Sequence, residues 1–111
     1  MSAIAKRIDS IQARSGISGR EIAQLLRTTP QTVSRWRQGH ATPQPESLHR
    51  LLKLDWLADQ LSSIYTPDEA KLWLFKPHAD LDGERPADLI ASGRIDGVLD
   101  LIDRLQSGAY F

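Results

Sequence analysis

Gln31, Ser34, Arg35 and Gln38 are the residues whose types and spacing offer chemistry to a partner. At roughly 100° per residue they fall on one side of a short helical stretch, opposite Val33 and Trp36. Glutamine matches the two hydrogen bonds adenine presents in the major groove, and arginine the two that guanine presents. Two apolar anchors inside and this polar set outside suit a helix laid against base edges. Catalysis finds no comparable cluster. His40, His49 and His78 are scattered, and cysteine is absent. There is no H-x-x-x-H pair, no nucleophile elbow and no Gly-rich phosphate loop, so an enzyme is not expected. Residues 77–85 gather His78, Asp80, Asp82 and Glu84, but they lack calcium-loop spacing. They read as a solvated turn, with neither metal nor cofactor.

The elements that must hold that polar set are marked by their ends. Ser18 with Glu21 forms an S-x-x-E capping box, which starts a helix. Ile22, Ala23, Leu25 and Leu26 supply its apolar face. Thr28-Thr29-Pro30 breaks it, and Thr29 caps a second helix with Pro30 at its first position. Gly39 can end that helix in the left-handed conformation. Two short helices joined by a tight turn make a helix-turn-helix; the plainer alternative is an αα-hairpin with a polar outer face.

This stretch resembles the Xre or lambda-repressor type of helix-turn-helix. Thr28, Thr29, Gln31, Thr32, Val33 and the closing Gly39 fall where that family puts its turn, its base-reading residues and its terminating glycine. The resemblance implies that Gln31, Thr32 and Arg35 reach bases. The full DNA-contacting set is then Gln31, Thr32, Ser34, Arg35, Arg37 and Gln38. Two positions depart from the pattern. Gly19 stands where glutamine is common, and Arg27 stands where the turn has glycine, so the turn must accommodate a side chain.

Composition sets the outer bounds. The 111 residues suit one domain or two very small ones. Zero cysteines exclude a disulfide framework and thiolate zinc sites, and fit a reducing cytoplasm. No charged-then-apolar leader opens the chain, and no apolar run approaches the roughly 18 residues of a membrane span. Net charge is zero, but it is unevenly spread. Residues 1–45 carry seven basic and two acidic residues, and residues 46–111 carry seven basic and twelve acidic. A basic front can meet phosphates while an acidic rear turns away or meets a basic protein.

Along the chain, Ile4, Ile8 and Ile11 give residues 3–14 an amphipathic helix, with Gly16 as its stop and Lys6 and Arg7 close to DNA. His40 and Thr42 can touch phosphates. Pro45 opens a helix reaching Tyr65, on which Leu48, Leu51, Leu52, Leu57, Leu61 and Ile64 follow the main stripe. Leu54, Trp56 and Tyr65 lie off that stripe, so the helix packs between subdomains or dimerises. A capping box at Thr66 and Glu69 starts the next helix. Leu72, Trp73 and Phe75 give it bulk, and Pro77 stops it. Pro86 opens a short helix ended by Gly93. The last helix turns Ile95, Val98, Leu99, Ile102 and Leu105 inward, and Gly97 within it suggests close packing.

From Ala70 onward the wording is more specific. Trp73, Leu74, Pro77, Leu81, Gly83, Pro86, Leu89, Gly93, Val98 and Gly108 resemble the toxin-binding domain of Xre/MbcA/ParS-type antitoxins. The expected fold is therefore all-α, an N-terminal helix-turn-helix bundle followed by a small C-terminal helical toxin-binding domain. The boundaries are 1–44 for the DNA-binding region, 45–65 for the connecting helix and 66–111 for the toxin-binding domain. The resemblance implies a type II antitoxin that represses its own promoter, forms a homodimer within a larger complex, and neutralises a RES-domain toxin that consumes NAD⁺. Arg94, Gly108, Ala109, Tyr110 and Phe111 would make the toxin contact, with Tyr110 and Phe111 plugging the toxin's active site. The rival reading is a stand-alone repressor whose second half only dimerises.

Overall fold

Every α-helix but the last begins where a side chain or a proline removes the problem of its unpaired N–H groups. In the structure, a computed structural model that describes residues 2–108, seven α-helices and one 3-10 turn follow one another. They are α1 (Ala3–Ser15), α2 (Gly19–Leu25), α3 (Pro30–Gln38), α4 (Pro45–Ser62) and α5 (Pro67–Phe75), then the 3-10 turn (Ala79–Leu81), α6 (Pro86–Ala91) and α7 (Ile95–Ser107). No strand occurs among the described residues. Both expected capping boxes are present, at Ser18 with Glu21 and at Thr66 with Glu69. Proline occupies the first turn of α3, α4, α5 and α6, where its missing N–H removes nothing.

The apolar faces close on one continuous core. α1 lies against α4, α5 and α3; α2 against α3 and α6; α7 against α4 and α6. Ile8 and Ile11 from α1, Leu51, Leu54, Leu57 and Leu61 from α4, and Val98, Leu101 and Ile102 from α7 are all shut from solvent. Gly16 allows α1 to end hard against α5. Its φ is +69°, and a Cβ there would sit 3.1 Å from the Pro67 carbonyl oxygen. Only glycine tolerates both conditions without strain.

Several expected facings are corrected. α4 stops at Ser62, short of Tyr65, with the Ser63 hydroxyl donating to the Gln60 carbonyl. Leu54 is in the core, whereas Leu52 and Ile64 are exposed. The true stripe of α4 is centred on Leu51, Leu54, Ala58 and Leu61, because α1, α5 and α7 all approach from that side. Leu72 points outward at 70% exposure. Leu101 is fully buried, while Leu99 and Leu105 are only half-buried. Gly97 faces open space: a Cβ there would meet nothing within 4 Å, so it answers no close approach.

Arg27 is the one strained residue of the helix-turn-helix. Its φ is +58°, the left-handed region that side chains avoid. The turn still closes fully. Thr28 N–H donates to the Ala23 carbonyl at 2.9 Å, and Arg27 N–H to the Gln24 carbonyl at 3.2 Å. This is the Schellman pattern, which usually places glycine where Arg27 stands. Left-handed strain is on the order of 1 kcal/mol. Arg27→Gly should therefore stabilise the fold by about 0.5–1 kcal/mol after the added freedom of the unfolded chain. A thermal melt should rise by roughly 3–6 °C. An unchanged or lower midpoint would mean that the arginine's own contacts outweigh the strain.

Candidate functional site

The front surface is built from α2, the turn and α3. Ser18 Oγ accepts from the Glu21 N–H at 3.1 Å, and Glu21 Oε1 accepts from the Ser18 N–H at 2.9 Å. Burial alone would raise the Glu21 pKa, but the two Ser18 hydrogen bonds and the Lys71 ammonium outweigh it and hold the carboxyl below its ordinary value. At α3, Thr29 Oγ1 accepts from the Thr32 N–H at 3.1 Å. Val33 and Trp36 are buried against α1 and α2, which sets the rotation of α3. Gln31, Ser34, Arg35, Arg37 and Gln38 are consequently exposed, and Thr32 is half-buried.

These six residues are not equally available. Gln31, Ser34 and Gln38 have no side-chain partner among the described residues, so their hydrogen-bonding groups are free for a ligand. Among the described residues Arg35 reaches only the His40 carbonyl, at 3.5 Å, which is a weak tie. Thr32 shares a 2.9 Å hydroxyl contact with Thr29, so part of its capacity is spent on the helix cap. Arg37 Nε lies 2.9 Å from Asp9 Oδ1, a close ion pair without hydrogen-bond alignment. It is tethered toward α1 and best placed for a phosphate. His40 and Thr42 are exposed where the chain leaves α3.

The charge division along the sequence is not a division in space. Arg7 pairs with Asp55 at 2.7 Å, and Arg14 with Asp59 at 2.5 Å. Two carboxylates of the acidic half thus neutralise two cations of the basic half across α1 and α4. Arg7, expected close to DNA, is held on that seam instead. Lys6, Arg20, Arg27 and Arg35 form no ion pair among the described residues; of these, Arg35 lies on the outer face of α3 with Arg37. Exposed pairs such as these add roughly 0–1 kcal/mol each, so they shape the field more than the stability.

The rear surface starts at Arg94. Its backbone N–H donates to the Leu89 carbonyl at 2.7 Å, closing the turn around Gly93. The guanidinium reaches both Glu84 carboxylate oxygens, at 3.2 and 3.4 Å, and the Ser92 hydroxyl at 3.0 Å. It is aimed and still accessible, which suits a contact residue. Nearby, Arg85 grips Asp88 through two hydrogen bonds at 2.9 and 2.7 Å. That fork holds the Asp88 carboxyl below the usual range. Gly108 caps α7 with φ of +71°, which stops the helix and turns the chain aside. Ala109, Tyr110 and Phe111 lie outside the described residues. His78 is engaged structurally: its Nε2 is 2.8 Å from the Trp73 carbonyl, and its ring packs on the Trp73 ring at 5.0 Å.

Sequence reasoning missed a groove beside α5. Glu21, Asp68, Lys71, Leu72 and Phe75 line about 420 Å³ of largely apolar space. Leu72 carries the wrong polarity for an outward position, and that was the available signal.

Comparison with known proteins matches both halves of the chain. Residues 60–108 match the antitoxin Xre/MbcA/ParS C-terminal toxin-binding domain, and residues 2–48 match a homeodomain-like domain. The chain is 31% identical to the mycobacterial cidal antitoxin MbcA of Mycobacterium tuberculosis over 99% of its own length and 97% of the relative's. A probable mycobacterial cidal antitoxin of the same species is 33% identical over 86% of this chain and 81% of the relative. A chain of the crystal structure of the M. tuberculosis MbcT–MbcA toxin–antitoxin complex superposes with a TM-score of 0.86 and 31% identity, covering all of both chains.

Proposed function

This chain belongs to the Xre/MbcA/ParS antitoxin family, and from that membership we propose that it neutralises a RES-domain toxin that consumes NAD⁺ and represses its own operon. It is an antitoxin of a toxin–antitoxin system. In this reading residues 1–44 hold operator DNA, residues 45–65 connect, and residues 66–111 hold the toxin. Tyr110 and Phe111 enter the toxin's active site, and Arg94 with the last helix lines the approach. Two copies act together on a palindromic operator, because one recognition helix reads one half-site. The complex works in the cytoplasm, where both NAD⁺ and the promoter are found.

What carries this reading is a match along the whole chain to an antitoxin solved together with its toxin. A stand-alone repressor would have no need of a toxin-binding domain spanning residues 60–108. The geometry supports the same division of work: α3 presents Gln31, Ser34 and Gln38, which have no side-chain partner among the described residues, and α7 ends at Ser107 with Gly108 as its cap.

The deciding experiment is co-expression with the product of the adjacent gene. The two proteins are expected to co-purify, and the purified toxin should deplete NAD⁺ only when this chain is absent. Failure to co-purify, or NAD⁺ depletion unaffected by the chain, would reject the reading. For the front surface, Arg35→Ala is expected to weaken operator binding by about 1–3 kcal/mol with an unchanged melting midpoint. Equal gel shifts for wild type and variant on operator and random duplex would remove Arg35 from base readout.

A further inference from the structure

The two arginines in the last turn of α3 are held differently. Arg35 forms no ion pair among the described residues, whereas Arg37 Nε lies 2.9 Å from Asp9 Oδ1 on α1. The Arg37 side chain remains 52% exposed, so it is neutralised without being buried. The fold has little need of this pair. Ion pairs as open as this one add little stability. The negative end of the α3 dipole would favour a cation at Arg37 even without Asp9. Residues 1–45 hold one other carboxylate, Glu21, and it is engaged by the Ser18 N–H and the Lys71 ammonium. Asp9 is therefore the carboxylate of the front half that is set against the recognition helix. Its placement leaves one arginine available among the outward residues and cancels the charge of the other, on the side nearest α1.

We propose that Asp9 is a specificity-determining residue of the DNA surface: it withholds Arg37 from the phosphates of random duplex and yields it only when α3 is seated on the operator. This deepens the DNA-binding half of the proposed function and rests on that reading; it requires nothing of the toxin. A phosphate contact carries no sequence information, so an unpaired Arg37 would strengthen binding to every duplex alike. Paired, Arg37 must leave one anion to take another. On random duplex no base contact fixes α3, and exchanging a carboxylate at 2.9 Å for a loosely placed phosphate gains little. On the operator the base contacts of α3 hold a phosphate in register, and the exchange goes forward. Asp9 thus lowers non-specific affinity more than specific affinity. The ratio of the two, not either alone, decides whether a site is found among many competitors.

The test is fluorescence anisotropy of the full chain on two labelled duplexes, its own promoter region and a random sequence of equal length, over a series of salt concentrations. Asp9→Asn keeps the side chain's shape and removes its charge. On random duplex it should tighten binding about eightfold at 0.1 M salt, with a salt slope steeper by about one, the signature of one added phosphate contact. On the promoter the gain should be no more than about threefold, the strength of the exposed ion pair that no longer has to open. Combining Asp9→Asn with Arg37→Ala should remove the gain and return both affinities to those of Arg37→Ala alone. The thermal midpoint of Asp9→Asn should stay within a few degrees of wild type, so the change in binding is not a change in fold. Unchanged affinity for random duplex, an equal gain on both duplexes, or a gain that survives the loss of Arg37 would overturn the role of Asp9 and leave DNA binding itself standing. A wild type that binds neither duplex would instead reject the DNA-binding reading, and the role of Asp9 with it.

Discussion

A chain lacking residues 109–111 is expected to lose toxin neutralisation while keeping its fold and its operator affinity. Two aromatic side chains leave with the truncation, and burying each is worth roughly 1.5–3 kcal/mol. Together they correspond to about a 10²- to 10⁴-fold loss of affinity, concentrated where the proposed plug acts. The described core gives no reason for collapse: the buried residues of α7 end at Ile102, and Gly108 is retained to cap the helix. Cells expressing the toxin with the truncated antitoxin should fail to grow, while its melting midpoint and gel shifts match wild type. Growth equal to wild type would show that neutralisation runs through another surface. The apolar groove beside Leu72 would be the next to test.

The second large effect concerns Trp36. Replacing it with alanine should destabilise the protein by about 3–5 kcal/mol, as expected for emptying a packed aromatic site. Trp36 is 4% exposed and fixes α3 against α1 and α2. Against a total stability of about 5–15 kcal/mol, the melting midpoint should drop by roughly 10–25 °C. Operator binding should be lost with it, because the polar face of α3 is aimed only while its inner face is anchored. The contrast with Arg35→Ala is the useful part. One variant loses DNA through the fold and the other through a contact, and only the first moves the melt. A Trp36→Ala protein that melts within about 3 °C of wild type would contradict the anchoring role.

Local chemistry explains why the helix boundaries and the turn were readable beforehand. The Ser18–Glu21 and Thr66–Glu69 boxes act over three residues, and a proline in the first turn acts on its own backbone. Neither depends on what packs above. The same holds for Arg27: its place in the turn predicted a side chain forced to conform, and it stands at a φ of +58°. The two resemblances also rested on residues near one another in sequence; the toxin-binding domain is matched over residues 60–108, while residues 2–48 match a homeodomain-like domain.

Facing was harder, because it depends on neighbours that sequence spacing does not name. α4 is apolar on more than one side, so its pattern fits more than one rotation. Only the approach of α1, α5 and α7 buries Leu54 and leaves Leu52 and Trp56 outside. Gly97 read as a close approach and meets open space, since a glycine's motive lies in what surrounds it.

By itself, then, the order of residues determined the all-helical elements, where they start, the outward set on α3 and the family. These follow from interactions spanning a few positions or from motif wording. The tertiary structure alone decided which cations stay available. It set Asp55 and Asp59 against Arg7 and Arg14, and it paired Arg37 with Asp9. It also left Leu52 and Trp56 exposed on α4. Coulomb energy and hydrogen bonding act through distance in space, and that distance exists only once α1 lies on α4.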